Sequence, residues 1–536
     1  MQSDNVDQPF FTTLNTIGRG VFRLVAVLAL ITGVASGVPA SETKSRETES
    51  VKRYAFGIGP TGGVQEKTEN DLHNQALDHW EEVNRNKCPG VKPRNCDAIP
   101  NKVQDYYSSN PGDEPARGVE AIRLEKFIEP AKATDEGTGF SAGDIETPDI
   151  DNDGQKELAL SGYTTPSYAA KIVLFDQIDS KSFFEKMSTN PKPLPSGYLT
   201  NGDMEFADVD GENGVDLIAQ GVGPSSADTV AVYENNGNGN LSFLTGISPL
   251  VAEFGPALEV GDLDGDGDPD VVVSGNDGTS TPRLIVFHND GSGTFSMIQE
   301  PMTGDGGGIA LSMMELGNLN ADTLPDLVVA GDDESNKRLI VYKNSGSGTF
   351  VKTDEPLGAN SGIYSGDLAL ADVTGNGRKD ILTAGPGAPI SENDDRFFIF
   401  ENQSISNFTE VTGVFDTEPL YFAGPKLAVA DFGGDGDKDF TIQGRYVGST
   451  GYYDDVFRTL TFMNDDGPGA SFTQQEQPFV ESGDDTGLQG GAIHAADIDG
   501  DGDNDPIYSG DQESDGTFGG GGIFKTRTII YENKAP

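Results

Sequence analysis

The chain has 536 residues, of which 87 are acidic and 36 basic, giving a formal charge of −51, and it carries 70 Gly, 30 Pro and 35% hydrophobic residues. That length exceeds one ordinary core but suits a large repeat array, and the apolar fraction argues against wholesale disorder. The negative excess excludes nucleic acid and anionic lipid surfaces as partners, because both require clustered Lys and Arg, and it makes cations the expected ones.

In chain order, Arg19 and Arg23 precede an apolar run over 24–34 that ends in Val38-Pro39-Ala40. This predicts a secretory signal peptide over 1–40, cleaved after Ala40 or retained as an uncleaved anchor. The run is short for a bilayer-spanning helix, so no membrane insertion of the mature chain is expected. Residues 41–118 form a polar extension in which Leu72, Ala76, Trp80 and Val83 recur at helical spacing and predict one short helix over 70–87. Cys88 and Cys96 are the two cysteines of the chain. In an exported protein they predict a disulfide, since two thiolates without a nearby His cannot complete a zinc site.

From residue 149 one unit recurs. The loops DIDNDGQKE (149–157), DVDGENGVD (208–216), DLDGDGDPD (262–270), NLNADTLPD (318–326), DVTGNGRKD (372–380), DFGGDGDKD (431–439) and DIDGDGDND (497–505) are spaced 54 to 66 residues apart. Five residues after each loop's last acid stands a glycine, Gly162, Gly221, Gly275, Gly331, Gly385, Gly444 or Gly510. A later alternating segment carries an aromatic at Phe175, Tyr233, Phe287, Tyr342, Phe400, Phe462 and Tyr531. A Gly-rich turn and a further segment follow. Period-two alternation bounded by Gly and Asn is a strand signal, so each unit holds four strands, the pattern of a propeller blade. The fold class expected is all-β: a seven-bladed β-propeller of four-stranded antiparallel blades over 119–536. Pro148 stands where six other units carry Ala or Gly before the loop, which predicts an irregular first blade. Only two strands follow the last loop, so the segment 119–130 (VEAIRLEKFIEP) is expected to supply the seventh blade's missing outer strand.

The pattern D-x-D-x-D-G-x-x-D places side-chain oxygens at positions 1, 3, 5 and 9 and a backbone carbonyl at position 7, with a glycine at 6 for the tight turn. Six to eight oxygens in tolerant geometry suit Ca²⁺ better than Mg²⁺. The first loop offers Asp149, Asp151, Asp153, Gln155 and Glu157, and the second Asp208, Asp210, Glu212, Gly214 and Asp216. The third offers Asp262, Asp264, Asp266, Asp268 and Asp270, and the seventh Asp497, Asp499, Asp501, Asp503 and Asp505. The fourth has Asn318, Asn320, Asp322, Leu324 and Asp326, the fifth Asp372, Thr374, Asn376, Arg378 and Asp380, and the sixth Asp431, Asp435, Asp437 and Asp439. Loops one, three and seven are the strongest by charge, and four and five the weakest. Asp, Asn and Gly favour turns by themselves, but seven acidic loops in one register exceed what turn-making needs. Between three and seven calcium sites are expected.

These loops, with Gly-Pro pairs such as Gly255-Pro256 and Gly424-Pro425, resemble the FG-GAP/VCBS repeats of integrin-alpha-like seven-bladed propellers. The resemblance covers about 119–536. It implies calcium hairpins on one face and ligand approach from the other, where Tyr163, Tyr168, Tyr446, Tyr452 and Tyr453 are the expected contact residues. Such propellers serve as adhesion modules, lectins and accessory domains of polysaccharide lyases. The leading expectation is a secreted or cell-surface, non-catalytic adhesion or interaction module. Its extracellular partner would be a protein or polysaccharide. The alternative is a lectin or polysaccharide-active enzyme on the same scaffold. Catalysis has thin support, because no G-x-S-x-G motif is present and only four His occur. Of these, His288 reads as a solvated side chain and His494 as a packed one.

Overall fold

The computed structural model describes residues 124–128 and, apart from connecting segments, residues 143–533. The segments left out are 165–168, 180–181, 186–201, 222–228, 248–249, 252–256, 278–280, 359–361, 387–394, 414–421, 448–452, 465–469, 475–487, 489 and 514–523. The signal segment, the helix expected at 70–87 and the Cys88–Cys96 pair therefore lie outside the described residues, as do Tyr168, Tyr452 and Gly255-Pro256. Among the described residues every element is a β-strand, and no helix is long and apolar enough to cross a membrane.

Seven antiparallel sheets follow one another along the chain. Blade one comprises β2 (Ile145–Glu146), β3 (Leu158–Thr164), β4 (Ala169–Asp179) and β5 (Ser182–Glu185). Blade two is β6 (Asp203–Ala207), β7 (Asp216–Gly221), β8 (Thr229–Asn235) and β9 (Leu241–Ile247). Blade three is β10 (Leu250–Val251), β11 (Ala257–Gly261), β12 (Asp270–Asp277), β13 (Pro282–Asn289) and β14 (Phe295–Gln299). Blade four is β15 (Ala310–Gly317), β16 (Asp326–Asp332), β17 (Lys337–Asn344) and β18 (Phe350–Asp354). Blade five is β19 (Asp367–Ala371), β20 (Asp380–Pro386), β21 (Asp395–Ser404) and β22 (Asn407–Glu410). Blade six is β23 (Phe422–Ala430), β24 (Asp439–Val447), β25 (Tyr453–Asn464) and β26 (Phe472–Gln474). Blade seven holds β27 (Ile493–Ala496), β28 (Asp505–Glu513) and β29 (Phe524–Asn533), and β1 (Leu124–Ile128) pairs antiparallel with β29, Leu124 opposite Asn533. Blade three departs from the expected four strands, because β10 and β11 share one edge of the long β12, β10 opposite its last two residues and β11 opposite its first five.

The acidic loop is the hairpin between a blade's inner strand and the next. The small residue before each loop pairs with the loop's last acid, as in Ala207 with Asp216, Gly261 with Asp270 and Ala496 with Asp505. In blade one the ladder of β2 has only two residues, with Pro148 two positions beyond its end. Proline has no N–H to give such a ladder, but its carbonyl still accepts the N–H of Glu157 at 2.8 Å. Along each inner strand, alternate residues turn into the blade stack or toward the ring axis. Ile145, Met204, Leu258, Met314, Leu368 and Leu427 are buried among the blades. The seven aromatics of the third strands are buried likewise, with exposures of 0–5%. Gly331 illustrates the recurring glycine. Its φ is +154°, and a Cβ there would meet the carbonyl oxygen of Ala310 at 2.7 Å, opposite the bulge between Ala310 and Met313.

The core is divided among the blade interfaces. Apolar clusters join blades one and two around Ile150, Leu174 and Leu217, and blades three and four around Leu263, Val286 and Tyr342. Blades seven and one share Ile498, Ile507 and Ile530 with Leu158, Leu160 and Phe175. Adjacent inner strands touch all the way round, β27 meeting β2. Among the described residues the blades' apolar faces meet one another around the ring, and the large hydrophobics left exposed, Phe243, Met297, Ile298 and Val351, stand on the outer strands β9, β14 and β18.

Candidate metal centre

The third loop shows how the sequence builds a candidate cation site. Asp262 Oδ1 accepts the N–H of Gly265 at 2.7 Å and Oδ2 that of Gly267 at 3.1 Å. Asp264 accepts the N–H of Asp266, and Asp266 that of Asp268. Gly267, at position 6, has φ +98°, and the glycines at that position in loops one, five, six and seven have φ between +82° and +103°, a region that β-carbons disfavour. Each carboxylate is thereby aimed by the backbone before any ion is considered.

The ninth acid lies at the root of the hairpin. Glu157, Asp216, Asp270, Asp326 and Asp380 are fully buried, and Asp439 and Asp505 are 1% exposed. Asp270 Oδ2 accepts the N–H of Leu263 at 3.1 Å and Oδ1 the N–H of Asn289 at 2.9 Å. Burial pushes these carboxyls up: Asp216 to about 6, and Asp439 and Asp505 to about 7, in each case against the opposing pull of two or more backbone N–H donors. A buried carboxylate with neighbouring acids is held ionised most readily by a cation.

In four loops the acids converge. One oxygen each from Asp149, Asp151 and Glu157 lies within 4.8 Å of the others, and the same holds for Asp208, Asp210 and Asp216, for Asp262, Asp264 and Asp270, and for Asp497, Asp499 and Asp501. Asp149 Oδ1 is in addition a buried oxygen without a hydrogen-bond partner, an acceptor that suits a hard cation. Position 5 behaves differently from the expectation in loops one and two, whereas Asp266 of loop three lies within 4.8 Å of Asp264 and His288. Asp153 and Glu212 stand apart from the converging oxygens, and Asp153 accepts the N–H of Gln155. Asp268, Leu324, Arg378, Asp437 and Asp503, at position 7, give their N–H groups to the side chain at position 5. Gly214 occupies that position in the second loop.

Loops four to six bring no three acids together among the described residues. In loop four Asn318 donates to the carbonyl of Asp322, Asn320 Nδ2 donates to Asp326 Oδ1 at 3.3 Å, and Lys343 Nζ lies 3.6 Å from Asp322. Amide donors and an ammonium meet the acids there. In loop five Asn376 Nδ2 turns away to the carbonyl of Asn402 at 3.3 Å, and Asp380 accepts the N–H of Thr374. In loop six Gly433 has no ligand to offer, and its N–H goes to Asp439 at 3.0 Å.

Two features lay outside the expectations. His288, expected to be solvated, folds over the third loop, its Nδ1 3.0 Å from Asp270 and 3.4 Å from Asp264. Desolvation pulls its pKa down, but the bond to Asp270 and the surrounding acids outweigh this and raise it. The second feature is an amide clamp. Two residues after each third-strand aromatic stands Asn235, Asn289, Asn344, Asn402, Asn464 or Asn533, with Gln177 in blade one. Each side-chain amide donates, at 2.7–2.9 Å, to the carbonyl at position 2 of the preceding blade's loop: Ile150, Val209, Leu263, Leu319, Val373 and Phe432, with Gln177 reaching Ile498. The signal was present as a polar amide at a fixed offset in seven units of seven. Of the tyrosines expected on the opposite face, Tyr163 lies near the end of β3, Tyr446 near the end of β24 and Tyr453 at the start of β25, all at blade ends remote from the acidic loops.

Among solved structures the chain is similar to a lectin of Aleuria aurantia in complex with alpha-methyl-L-fucoside, at 9% identity and TM-score 0.36, over 63% of this chain and 96% of that one. It is also similar to the Bacillus licheniformis rhamnogalacturonan lyase, at 12% identity and TM-score 0.38, over 76% and 75%, and to a biofilm matrix protein of V. cholerae, at 11% identity and TM-score 0.29, over 78% and 91%. No curated protein matches it significantly in sequence. The family model for the FG-GAP-like repeat matches residues 208–273, 262–314 and 318–383. With seven acidic hairpins on seven small antiparallel sheets, the chain is one of FG-GAP-like repeats in a seven-bladed β-propeller.

Proposed function

We propose that this is a secreted or cell-surface calcium-binding propeller that acts as a non-catalytic adhesion or interaction module, with calcium stabilising the blades. The observation that carries this reading is the convergence, in loops one to three, of acids 1, 3 and 9 around a buried carboxylate. Asp149, Asp151 and Glu157, Asp208, Asp210 and Asp216, Asp262, Asp264 and Asp270, and Asp497, Asp499 and Asp501 would hold the ions. Calcium, when bound, supplies the positive charge that keeps the ninth acid ionised. The protein's own residues pass that order on. The ninth acid fixes the backbone N–H at position 2 and that of the clamp residue, and the clamp amide grips the preceding blade's loop. Ions in all seven loops would move the formal charge from −51 to about −37.

The extracellular placement rests on the export signal read at 1–40. The non-catalytic reading is supported by the engagement of both repeat histidines, His288 with Asp270 and His494 with Thr147 Oγ1 at 3.1 Å. The ligand would approach the end of the blades that carries Tyr163, Tyr446 and Tyr453.

Calcium titration of chelator-treated protein tests the first part. Heat should enter at about four sites, and Tm should fall by more than ~5 °C in EGTA, as expected when ions bind only the folded chain. A Tm indifferent to EGTA would end the calcium reading. A glycan array and a cell-attachment assay, run with wild-type and Tyr446→Ala/Tyr453→Ala protein in calcium, test the second part. Attachment that weakens in the variant at unchanged Tm fits an interaction module, whereas saccharide turnover would replace it with the enzyme reading.

A further inference from the structure

The seven inner strands enclose a cavity of about 690 Å³ on the ring axis. Period-two alternation sends two rows of side chains into it. Five residues before the loops stand Asp144, Asp203, Ala257, Met313, Asp367, Lys426 and Ala492, and three residues before them Glu146, Glu205, Glu259, Glu315, Ala369, Ala428 and His494. Four consecutive blades thus present a glutamate at one height, as a crescent facing two alanines and a histidine.

Some of these acids have structural partners. Asp144 accepts the N–H of Met204 at 3.2 Å, Asp203 that of Leu258 at 2.9 Å, Glu259 that of Leu316 at 3.3 Å and Asp367 that of Leu427 at 2.7 Å, each stitching one blade to the next. Glu146, Glu205 and Glu315 are half-buried on the channel wall and feel the charge of neighbouring acids, Glu146 that of Glu205 and Asp144, Glu205 that of Asp203 and Glu315, and Glu315 that of Asp367 and Asp203. The positive groups nearby are few. Lys426 is drawn to Asp367, Asp144 and Asp203, Lys379 acts on Glu315, and Lys156 lies close enough to His494 to help hold that imidazole neutral. No three channel acids bring their oxygens within chelating distance of one another, in contrast to the loops. Direct coordination of a bare ion therefore does not relieve the crowding, and the smallest cation does.

We propose that the axial channel is a proton-binding device: its carboxylates take up protons as the ring closes, so the propeller is firmest in mild acid and loosens as pH rises. Desolvation and mutual repulsion raise Asp144, Glu146, Glu205 and Glu259 well above the carboxylate range, and burial with the charge of Asp367 lifts Glu315 to about 8. The sign follows. A carboxyl with a raised pKa in the fold stays protonated while its unfolded counterpart ionises. Its contribution is therefore greatest below the unfolded value and is lost as pH climbs through the folded one, here between about 4.5 and 8 for Glu315.

The test is the pH dependence of Tm for the full chain and for Glu205→Gln/Glu315→Gln, in saturating calcium so that the loop acids stay ionised. Wild-type Tm should fall between pH 6 and pH 8.5. The variant, which carries permanent neutral mimics, should exceed it by about 3 °C at pH 8.5 and match it at pH 5. Should the double variant fail to fold, Glu315→Gln alone and the wild-type protons released on unfolding at pH 7, from calorimetry in buffers of different ionisation enthalpy, provide the same reading. Equal slopes in the two proteins, or unfolding without proton release, overturn the proposal. So does a gain at pH 8.5 that magnesium or spermidine gives to wild type but not to the variant, because larger cations would then be neutralising the channel.

Discussion

Asn344 shows how much a single side chain carries in this fold. It is 2% exposed, and its Nδ2 donates to Leu263 O at 2.8 Å and to Pro325 O at 3.1 Å, so one amide closes its own loop and grips the preceding one. Replacement by leucine keeps the volume but strands two buried carbonyls. The expected cost is about 1–3 kcal/mol for each such group, read as a lower midpoint in urea at fixed calcium, and Asn240→Leu on the exposed turn should change little. The clamp was open to view in the sequence as a register position. Its role was not, because a hydrogen bond between residues about 80 apart has no local periodicity. The acids, by contrast, declared themselves, since ligand spacing within nine residues is a local property. The weakness of loop four could be read from its two carboxylates, whereas the convergence of loop two, with Glu212 and a displaced glycine, was hidden because it depends on how the turn folds.

At the level of the element, strand register explains a second repeated pairing. Opposite the recurring glycine of the second strand stands a basic residue of the third: Arg283 opposite Gly275, Arg338 opposite Gly331 and Arg458 opposite Gly444. Arg338 is 5% exposed and bonds Asp333 at 2.7 Å, Glu355 through Nε at 2.9 Å and Asp305 at 3.2 Å. Arg283 makes the matching pairs with Asp277 and Glu300, but its side chain is 22% exposed. Arg338→Met should cost about 3–5 kcal/mol, because it leaves Asp333 buried without its cation, whereas Arg283→Met should cost about 1 kcal/mol or less, in parallel denaturation curves. The four-strand unit, its aromatic third strand and the short first ladder of blade one were readable from alternation and from Pro148. The extra strand β10 was not, for a two-residue pairing leaves no pattern to detect.

For the whole molecule the decisive contacts are those that join its last blade to its first. Gln177 reaches Ile498, Thr147 meets His494, and the apolar cluster of blades seven and one packs Ile530 with Leu158. β1 then covers β29. Deleting 119–130 should expose that edge and replace one cooperative thermal transition with a broader one at lower temperature, followed by calorimetry and light scattering; a deletion that melts as sharply and as high as the full chain would show that the strand is dispensable. Repeat number and period made the ring legible from the sequence. The acidic axis was not, since its carboxylates are spread over blades one to five between Asp144 and Asp367 and meet only when the circle is drawn.

The pairing of β1 with β29 also bears on how the protein is made. During synthesis β1 emerges some four hundred residues before its partner, so the first strand waits while six blades assemble beside it, and the loop it must close is among the longest in the chain. A product released before β29 would lack the strand that β1 pairs with, and with it a finished circle. Emergence of β29, and not the folding of any one blade, is then the event that commits the molecule to its native state.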